Sequence, residues 1–205
     1  LASKLEWDLP KGFTVDAIQW PYPERFETNE FVNFGYKGKI LLLVRLIPPQ
    51  TLAETNEFPI NVKVHWFACK DQCLPGLDEV SITLPVKSTP PIVDKQTAEI
   101  FSLARKNLPK KLWNVSAQFI DGFISLRLTP SSIEGFDLSD VYFYPDQAGI
   151  IDPHASQELS VDSSQYLLKM TASSDLRSAQ IPFISGVLVS SNGWNDSGGE
   201  GSMEI

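Results

Sequence analysis

Two runs of alternating apolar and polar residues, joined by the only two cysteines of the chain, constrain the fold of this sequence most strongly. Residues 60–68 largely alternate between the two types, and residues 79–86 do so again after a Pro-Gly pair. A period of two is typical of a strand with one buried face. Cys69 and Cys73 lie between the runs, so the sequence predicts two strands with both cysteines at the tip of a hairpin-like connection.

The spacing of the cysteines leaves three kinds of chemistry open. A disulfide across a turn needs Cα atoms roughly 4.4–6.8 Å apart, which this separation allows. It would enclose only three residues, and because stabilisation by loop closure grows with loop length, it would be a weak structural staple. A redox pair is the second option, in which Lys70 favours a thiolate and Asp71 opposes it. A metal site is the third, although a closed zinc site needs four ligands, and only His65 and His154 are available as histidines.

Short apolar runs separated by turn residues predict further strands in the first half of the chain. Prolines 10, 21 and 23 place residues 5–32 in edge strands and loops. Residues 39–48 form a strongly apolar run that ends at a Pro-Pro pair, which predicts one long strand. Asp94 precedes a stretch with helical spacing of its apolar residues, and Pro109 follows it, so we expect a helix over about residues 94–107.

The second half of the chain also alternates, and Asp121-Gly122 is a strong hairpin signal. Four more strands are expected near residues 140–145, 157–161, 165–171 and 183–190. The predicted fold is therefore all-β, with two immunoglobulin-like β-sandwiches joined by a linker and one helix. The expected domains are residues 1–90 with the cysteine pair, 91–111 as linker and helix, 112–190 as a second sandwich without cysteine, and 191–205 as a flexible tail.

Composition excludes several functional classes. The net charge of −8 argues against nucleic-acid binding, which relies on Lys and Arg. The longest apolar run, residues 40–44, is far shorter than the roughly 20 residues that span a bilayer. The sequence contains no glycine-rich phosphate loop and no recognisable Ser-His-Asp spacing. His65 is interpreted as a surface or semi-buried residue and His154 as a loop residue. The acidic residues Asp71, Asp78 and Glu79 are interpreted as a solvated acidic rim.

Several motifs resemble those of a known family. Residues 66–75 resemble the signature W-L-x-C-x-x-x-C-I-P of the periplasmic amino-terminal domain of DsbD-type thiol:disulfide interchange proteins, and most closely the branch that includes the suppressor-of-copper-sensitivity protein ScsB. Further landmarks in the family's order are residues 7–13, 18–23, 35–38, 141–145 and 184–188. Members of that branch carry additional strands before the first of these motifs, so we expect that N-terminal strands were trimmed from this chain.

The resemblance implies a periplasmic thiol:disulfide oxidoreductase module, a domain of an inner-membrane protein, which passes reducing equivalents through Cys69 and Cys73. It implies that Cys73 joins partners and Cys69 resolves the mixed disulfide, without a cofactor or metal. The implied donor is the thioredoxin-like domain of the same full-length protein, and the implied acceptors are periplasmic disulfide isomerases or thioredoxin-like proteins. The membrane would be reached only through the missing part of that protein.

The family also implies a cap loop that shields the thiols, about thirty residues before the first cysteine. In this sequence that place is residues 33–38, where Phe34 and Tyr36 would cover the sulfur atoms and two glycines would supply hinges. The alternative is an ordinary turn with one core aromatic residue. Two alternatives for the whole module also stay open: a non-catalytic immunoglobulin-like binding module with a local disulfide, and a module that handles Cu(I) with both thiolates.

Overall fold

Strands dominate the chain, as the alternating patterns predicted. The computed structural model describes residues 3–27, 31–52, 57–70, 72–87, 89–130, 138, 140–162, 165–174, 176, 183–192, 194 and 201–205. In chain order the elements are β1 (Lys4–Asp8), β2 (Thr14–Val15), β3 (Glu24–Glu27), β4 (Val32–Gly35), β5 (Leu46–Ile47), β6 (Glu57–Cys69), β7 (Cys73–Pro85), α1 (Lys95–Lys106), β8 (Asn114–Ile120), β9 (Phe123–Thr129), β10 (Tyr142–Pro145), β11 (Glu158–Asp162), β12 (Gln165–Thr171), β13 (Gly186–Ser190) and β14 (Gly201–Glu204). The predicted all-β class is confirmed.

Contacts within the chain divide it into two compact units. Unit 1 consists of Leu1–Ile18 and Leu43–Ala98, and unit 2 consists of Gln19–Leu42 and Glu99–Ile205. Both cysteines therefore belong to unit 1. The segment from residue 19 to residue 42 groups with the second half of the chain, whereas the sequence analysis expected it within one continuous sandwich over residues 1–90.

The hairpin of β3 and β4 explains this assignment, because its side chains contact the second half of the chain. Arg25 donates a hydrogen bond from Nη2 to the carbonyl oxygen of Pro153 at 3.0 Å. The ring of Phe34 meets the ring of Tyr144 edge-on, with 5.1 Å between centroids. These contacts join residues more than 100 positions apart, and alternation within a single strand carries no information about such partners.

Unit 1 is built on a sheet with the strand order β1-β6-β7, so β6 is central and β7 lies at an edge. A second, two-stranded sheet pairs β2 with β5. Leu43, Phe58 and Ile60 are buried, and the ring of Phe13 packs on that of Phe58 with centroids 5.1 Å apart. The described core of this unit is therefore small, and it lies toward the end of β6 that is remote from the cysteines.

The apolar run at residues 39–48 is not the long strand that the sequence predicted. A strand forms at Leu46–Ile47, which pairs with Thr14–Val15, and Leu43 makes a single bridge, while Ile40 and Leu41 are exposed. The boundary between the two units falls between Leu42 and Leu43. A segment that passes from one unit to the other has no single neighbouring strand to pair with along its whole length. Its apolar composition therefore does not produce one long strand.

Unit 2 contains a β-sandwich made of two sheets with the orders β11-β12-β9-β8 and β10-β13-β14. Alternate residues of both sheets fill one core, which includes the fully buried Leu126, Leu168, Phe143 and Leu188. The predicted turn between β8 and β9 is confirmed, because Asp121 and Gly122 have φ angles of 51° and 80°. Two successive positive φ angles are what a two-residue type I′ hairpin turn requires.

The end of the chain differs from the predicted flexible tail. Gly201–Glu204 forms β14 and pairs with β13, and Met203 is fully buried in the core of the sandwich. Trp194 is buried as well and packs edge-on against Trp113 at 5.1 Å. The glycine- and serine-rich composition concealed this role, because the large apolar residues of the segment are Trp194, Met203 and Ile205 alone.

The predicted helix is confirmed as α1, with its expected cap. Asp94 Oδ2 accepts a hydrogen bond from the backbone N–H of Thr97 at 2.9 Å, which satisfies one of the free donors of the first turn. A hydrogen bond from the side chain of Thr97, together with this backbone hydrogen bond, lowers the pKa of the Asp94 carboxyl group. None of the residues of α1 is buried. Within the described ranges, no helix has the length and apolarity that crossing a bilayer would require.

Candidate functional site

A disulfide joins Cys69 and Cys73 at the tip of the β6–β7 hairpin. The two residues face each other in the last pair of the ladder, with Cα atoms 4.0 Å apart. This is the close spacing of a non-hydrogen-bonded antiparallel pair, which averages about 4.5 Å. The backbone N–H of Lys70 donates to the carbonyl oxygen of Gln72 at 3.3 Å within the turn. Both cysteines are exposed, so a thiolate from another molecule has access to the bond.

The second strand begins directly at Cys73, although the sequence analysis expected it only after the Pro75-Gly76 pair. Pro75 pairs with Phe67 two positions from the cysteine pair, and the ladder continues without interruption. By the alternation of an antiparallel ladder, this pair is also non-hydrogen-bonded, so the missing N–H of proline removes no bond to β6. Proline is tolerated in this way on edge strands, and β7 is an edge strand.

The face of the hairpin that carries the disulfide is apolar next to the sulfur atoms. Side chains two residues apart share a face, so Phe67 and Pro75 flank the disulfide, followed by the pair of His65 and Leu77. Phe67 is 38% exposed and Leu77 is 56% exposed. A protein that approaches the disulfide from this side therefore meets an exposed apolar border.

Farther from the tip, the same face becomes charged. Lys63 Nζ lies 3.2 Å from Glu79 Oε1, and Glu6 interacts with Lys4 at 2.8 Å and with His65 at 3.5 Å. Hydrogen bonds from Lys4 and then from His65 hold the pKa of the Glu6 carboxyl group below its usual value. The alternation thus separates an apolar rim at the sulfur atoms from a band of paired charges.

The opposite face of the hairpin carries a cross-strand contact that the sequence analysis did not identify. The indole Nε1–H of Trp66 donates a hydrogen bond to Asp78 Oδ2 at 2.6 Å, and the ring lies against Gly76, its partner in the ladder. The sequence analysis had interpreted Asp78 as part of a solvated acidic rim. Its position two residues after the glycine places it on the same face as the indole ring.

The two aromatic residues expected to form a cap, Phe34 and Tyr36, lie in unit 2. The ring of Phe34 meets the rings of Tyr142 and Tyr144 edge-on, at 6.0 and 5.1 Å. The ring of Tyr36 stacks on Trp20 at 6.1 Å, and its hydroxyl donates to a backbone carbonyl oxygen at 2.9 Å. Burial raises the pKa of Tyr36 to about 12. The two rings are therefore held by defined contacts within unit 2.

The histidines do not assemble a metal site in the part of the chain that the structure describes. Across those residues, no group of three or more His, Cys, Asp or Glu side chains is close enough to hold a metal ion. His65 lies near Glu6, and His154 lies in a loop where its backbone N–H donates to Asp152 Oδ1 at 2.9 Å. The disulfide is the chemically reactive group that the described part of the molecule presents.

Comparisons with known proteins agree with the resemblance read from the motifs. Residues 2–85 match the family of the N-terminal domain of the thiol:disulfide interchange protein DsbD, which confirms the family resemblance for that part of the chain. The fold is similar to the crystal structure of the N-terminal periplasmic domain of ScsB from Proteus mirabilis, with a TM-score of 0.64 and 15% sequence identity over all of this chain and 76% of that one. No curated protein matches the chain.

Proposed function

We propose that this chain, whose residues 2–85 match a family of thiol:disulfide interchange domains, is a redox module that exchanges disulfides with other proteins through Cys69 and Cys73. The observation that carries the proposal is the exposed disulfide at the tip of a long hairpin. A bond between residues only four positions apart adds little constraint to the unfolded chain. Its exposure and apolar border suit a bond that opens and closes against a protein partner.

The reaction begins with the reduced pair. The thiolate of Cys73 attacks one sulfur of a partner disulfide, a mixed disulfide forms, and the other partner sulfur leaves as a thiolate. The thiolate of Cys69 then attacks Cys73 in the mixed disulfide, which closes the Cys69–Cys73 bond and releases the partner as a dithiol. Two electrons pass to the partner, and a donor dithiol later returns two electrons to this module. Neither exchange requires a further cofactor.

The direction and the partners follow the family resemblance. We assign the donor role to a thioredoxin-like domain of the same full-length protein, and the acceptor role to periplasmic disulfide isomerases or thioredoxin-like proteins. The similar domain from Proteus mirabilis is described as periplasmic, and the same location suits a module that must meet oxidised partners. The membrane enters this scheme only through the rest of the full-length protein.

Trapping of mixed disulfides tests the exchange reaction and the roles of its two sulfur atoms. In Cys69→Ala the resolving thiol is absent, so the protein should accumulate mixed disulfides through Cys73 when it is mixed with oxidised periplasmic extract. Mass spectrometry of the cross-linked peptide identifies the sulfur that is used. If Cys73→Ala traps partners and Cys69→Ala does not, the roles are reversed. If neither variant traps any protein, the exchange function is wrong.

The segment with Phe34 and Tyr36 is proposed to shield the dithiol until a partner binds. The support for this role is the family resemblance at residues 33–38, and a sulfur–aromatic contact would be worth about 0.3–1.5 kcal/mol. Replacing both residues by Ala should increase the rate at which a small oxidant converts the reduced pair to the disulfide. The variant Phe34→Leu is the control, since it keeps apolar volume. An unchanged rate in the double variant would exclude a shielding role.

Redox chemistry is confined to unit 1, since the chain has two cysteines and both lie there. For the second sandwich, residues 112–190, we propose a role as support or as a docking surface for partners. Its large common core makes it a stable scaffold. If substitutions of its exposed residues never alter exchange rates with a trapped partner, the docking role is excluded.

A further inference from the structure

The ring of Trp66 lies so close to β7 that its neighbour on that strand has to be glycine. A Cβ atom added at Gly76 would lie 2.2 Å from both Cε2 and Cζ2 of the indole. Real Cβ contacts essentially never fall below 3.0 Å, and the crowded atoms belong to the rigid body of the ring. The indole therefore packs directly on the backbone of the facing strand.

A hydrogen bond fixes the ring in this position. Trp66 Nε1 donates to Asp78 Oδ2 at 2.6 Å, and Asp78 follows Gly76 on the same face of β7. One side chain of β6 thus contacts two successive positions of β7 on that face. We call this set of three residues, Trp66, Gly76 and Asp78, the indole clamp.

On the face of the hairpin that carries the indole clamp, the clamp is the first substantial contact between the two strands, counted from the cysteine end. Two ladder pairs, Ala68–Leu74 and Phe67–Pro75, separate Trp66 and Gly76 from the pair of cysteines, and of these Ala68–Leu74 shares the face of the clamp. Ala68 is small and Leu74 is 62% exposed, so this intervening pair packs weakly. In addition, β7 is an edge strand that only β6 holds.

Trp66 does not share a face with the sulfur atoms. It precedes Cys69 by three residues in the same strand, so the two side chains project from opposite faces. The clamp therefore leaves the apolar border at Phe67 and Leu77 open to a partner. Its influence on the cysteines passes through the register and spacing of the two strands.

We infer that the indole clamp is a positioning device that keeps the two thiols adjacent after the disulfide has been reduced, and that it thereby sets the reduction potential of the pair. In the oxidised form the covalent bond itself holds Cys69 opposite Cys73. In the reduced form only noncovalent contacts between β6 and β7 do so. Contacts that keep the thiols adjacent raise their effective concentration and favour closure of the bond. The use of this potential in electron transfer rests on the exchange function proposed above.

Equilibration of the whole protein with glutathione measures the effect of the indole clamp on the reduction potential of the cysteine pair. One oxidised glutathione takes two electrons from the Cys69–Cys73 dithiol, and the products are the protein disulfide and two reduced glutathione molecules. Alkylation of the free thiols followed by mass spectrometry gives the oxidised fraction. For Trp66→Ala we expect the equilibrium constant for disulfide formation to fall about threefold to tenfold, from the loss of one cross-strand contact and one hydrogen bond to a charged group. That corresponds to a potential about 14–30 mV less negative.

A double-mutant cycle tests the contact itself. Gly76→Ala should also lower the equilibrium constant for disulfide formation, because the new methyl group displaces the indole ring of Trp66. In the Trp66→Ala background it should have no further effect, since nothing remains to be displaced. Ile82→Ala is the matched control: Ile82 is 59% exposed on the same face of β7, farther from the cysteines, and its loss should leave the constant unchanged. Full additivity in the double variant would overturn the proposed contact.

The equilibrium constant also separates positioning from a general loss of stability. A substitution that destabilises the oxidised and reduced forms equally leaves it unchanged, so a constant unaltered in Trp66→Ala and Gly76→Ala overturns the inference. Should Trp66→Ala not fold, Trp66→Phe keeps a ring without the N–H and should give a smaller decrease, as should Asp78→Ala; no decrease in either also overturns it. The ratio between variant and unaltered protein tests the clamp, whereas the absolute potential of the unaltered protein tests the exchange function.

Discussion

Reduction of the Cys69–Cys73 disulfide should destabilise the protein only slightly. The closed loop contains five residues when both cysteines are counted, since their sequence separation is four. The chain-entropy relation for disulfides then gives a stabilisation of about 2 kcal/mol at 25 °C, against roughly 4.7 kcal/mol for a 100-residue loop. The fold that holds the two residues opposite each other is built from the ladder and the core near Phe58, and these remain when the bond opens.

The small stabilisation that the disulfide gives to the fold also limits how far the fold shifts the reduction potential of the cysteine pair. By thermodynamic linkage, the free energy that the disulfide adds to the fold equals the free energy that the fold adds to the disulfide. About 2 kcal/mol corresponds to a shift of roughly 40 mV toward more negative potential, because 30 mV is about 1.4 kcal/mol for a two-electron couple. A bond stabilised this little by its own fold remains open to exchange.

Urea unfolding of the oxidised and the reduced protein measures the difference directly. We expect both forms to unfold cooperatively, with nearly equal slopes and free energies of unfolding that differ by about 2 kcal/mol or less. Cys69→Ser/Cys73→Ser serves as the control, because it removes the bond without a reductant and should match the reduced form. A reduced form that is unfolded in water, or less stable by more than about 4 kcal/mol, would show that the bond is a structural staple.

Three further outcomes follow from the described contacts. Met203→Ala should lower the free energy of unfolding by about 2–5 kcal/mol, because the residue is fully buried. A denaturant titration measures this loss. The control is Glu204→Ala, at an exposed neighbour, which should change the free energy of unfolding little. Gly186→Ala should destabilise by about 1–3 kcal/mol, since its Cβ would lie 2.3 Å from the carbonyl oxygen of Tyr144; a melting temperature equal to the unaltered protein would refute this. Burial raises the pKa values of Tyr36 and Tyr144 to about 12, so their stabilising effect is complete below pH 10 and is lost as the pH rises through 12. The increase in absorbance at 295 nm near pH 12 should therefore be smaller in Tyr36→Phe than in the unaltered protein.

Local patterns in the sequence were enough to predict the hairpin, the turn at Asp121-Gly122 and the capped helix. Each depends on residues within one turn or one pair of strands. Alternation identifies the strands around the cysteines, a positive φ angle is acceptable at Asp-Gly, and Asp94 reaches the backbone three residues ahead. Such features require no knowledge of distant contacts.

The features that sequence patterns missed depend on distant partners. The run at residues 39–48 is apolar enough for a strand but crosses the boundary between the two units. The polar end of the chain forms β14 because Met203 fills a space that β13 and its neighbours leave open. The role of Gly76 was accessible in principle: once Cys69 is taken to face Cys73, the register of an antiparallel hairpin places Trp66 opposite Gly76.

The reduction potential of the unaltered protein tests the central claim most directly. The whole chain is equilibrated in glutathione buffers of graded composition at pH 7, and the fraction with a Cys69–Cys73 bond is measured after alkylation. The exchange function predicts a potential between about −120 and −270 mV, the range spanned by proteins that exchange disulfides. A potential below about −300 mV, typical of inert structural disulfides, would contradict it.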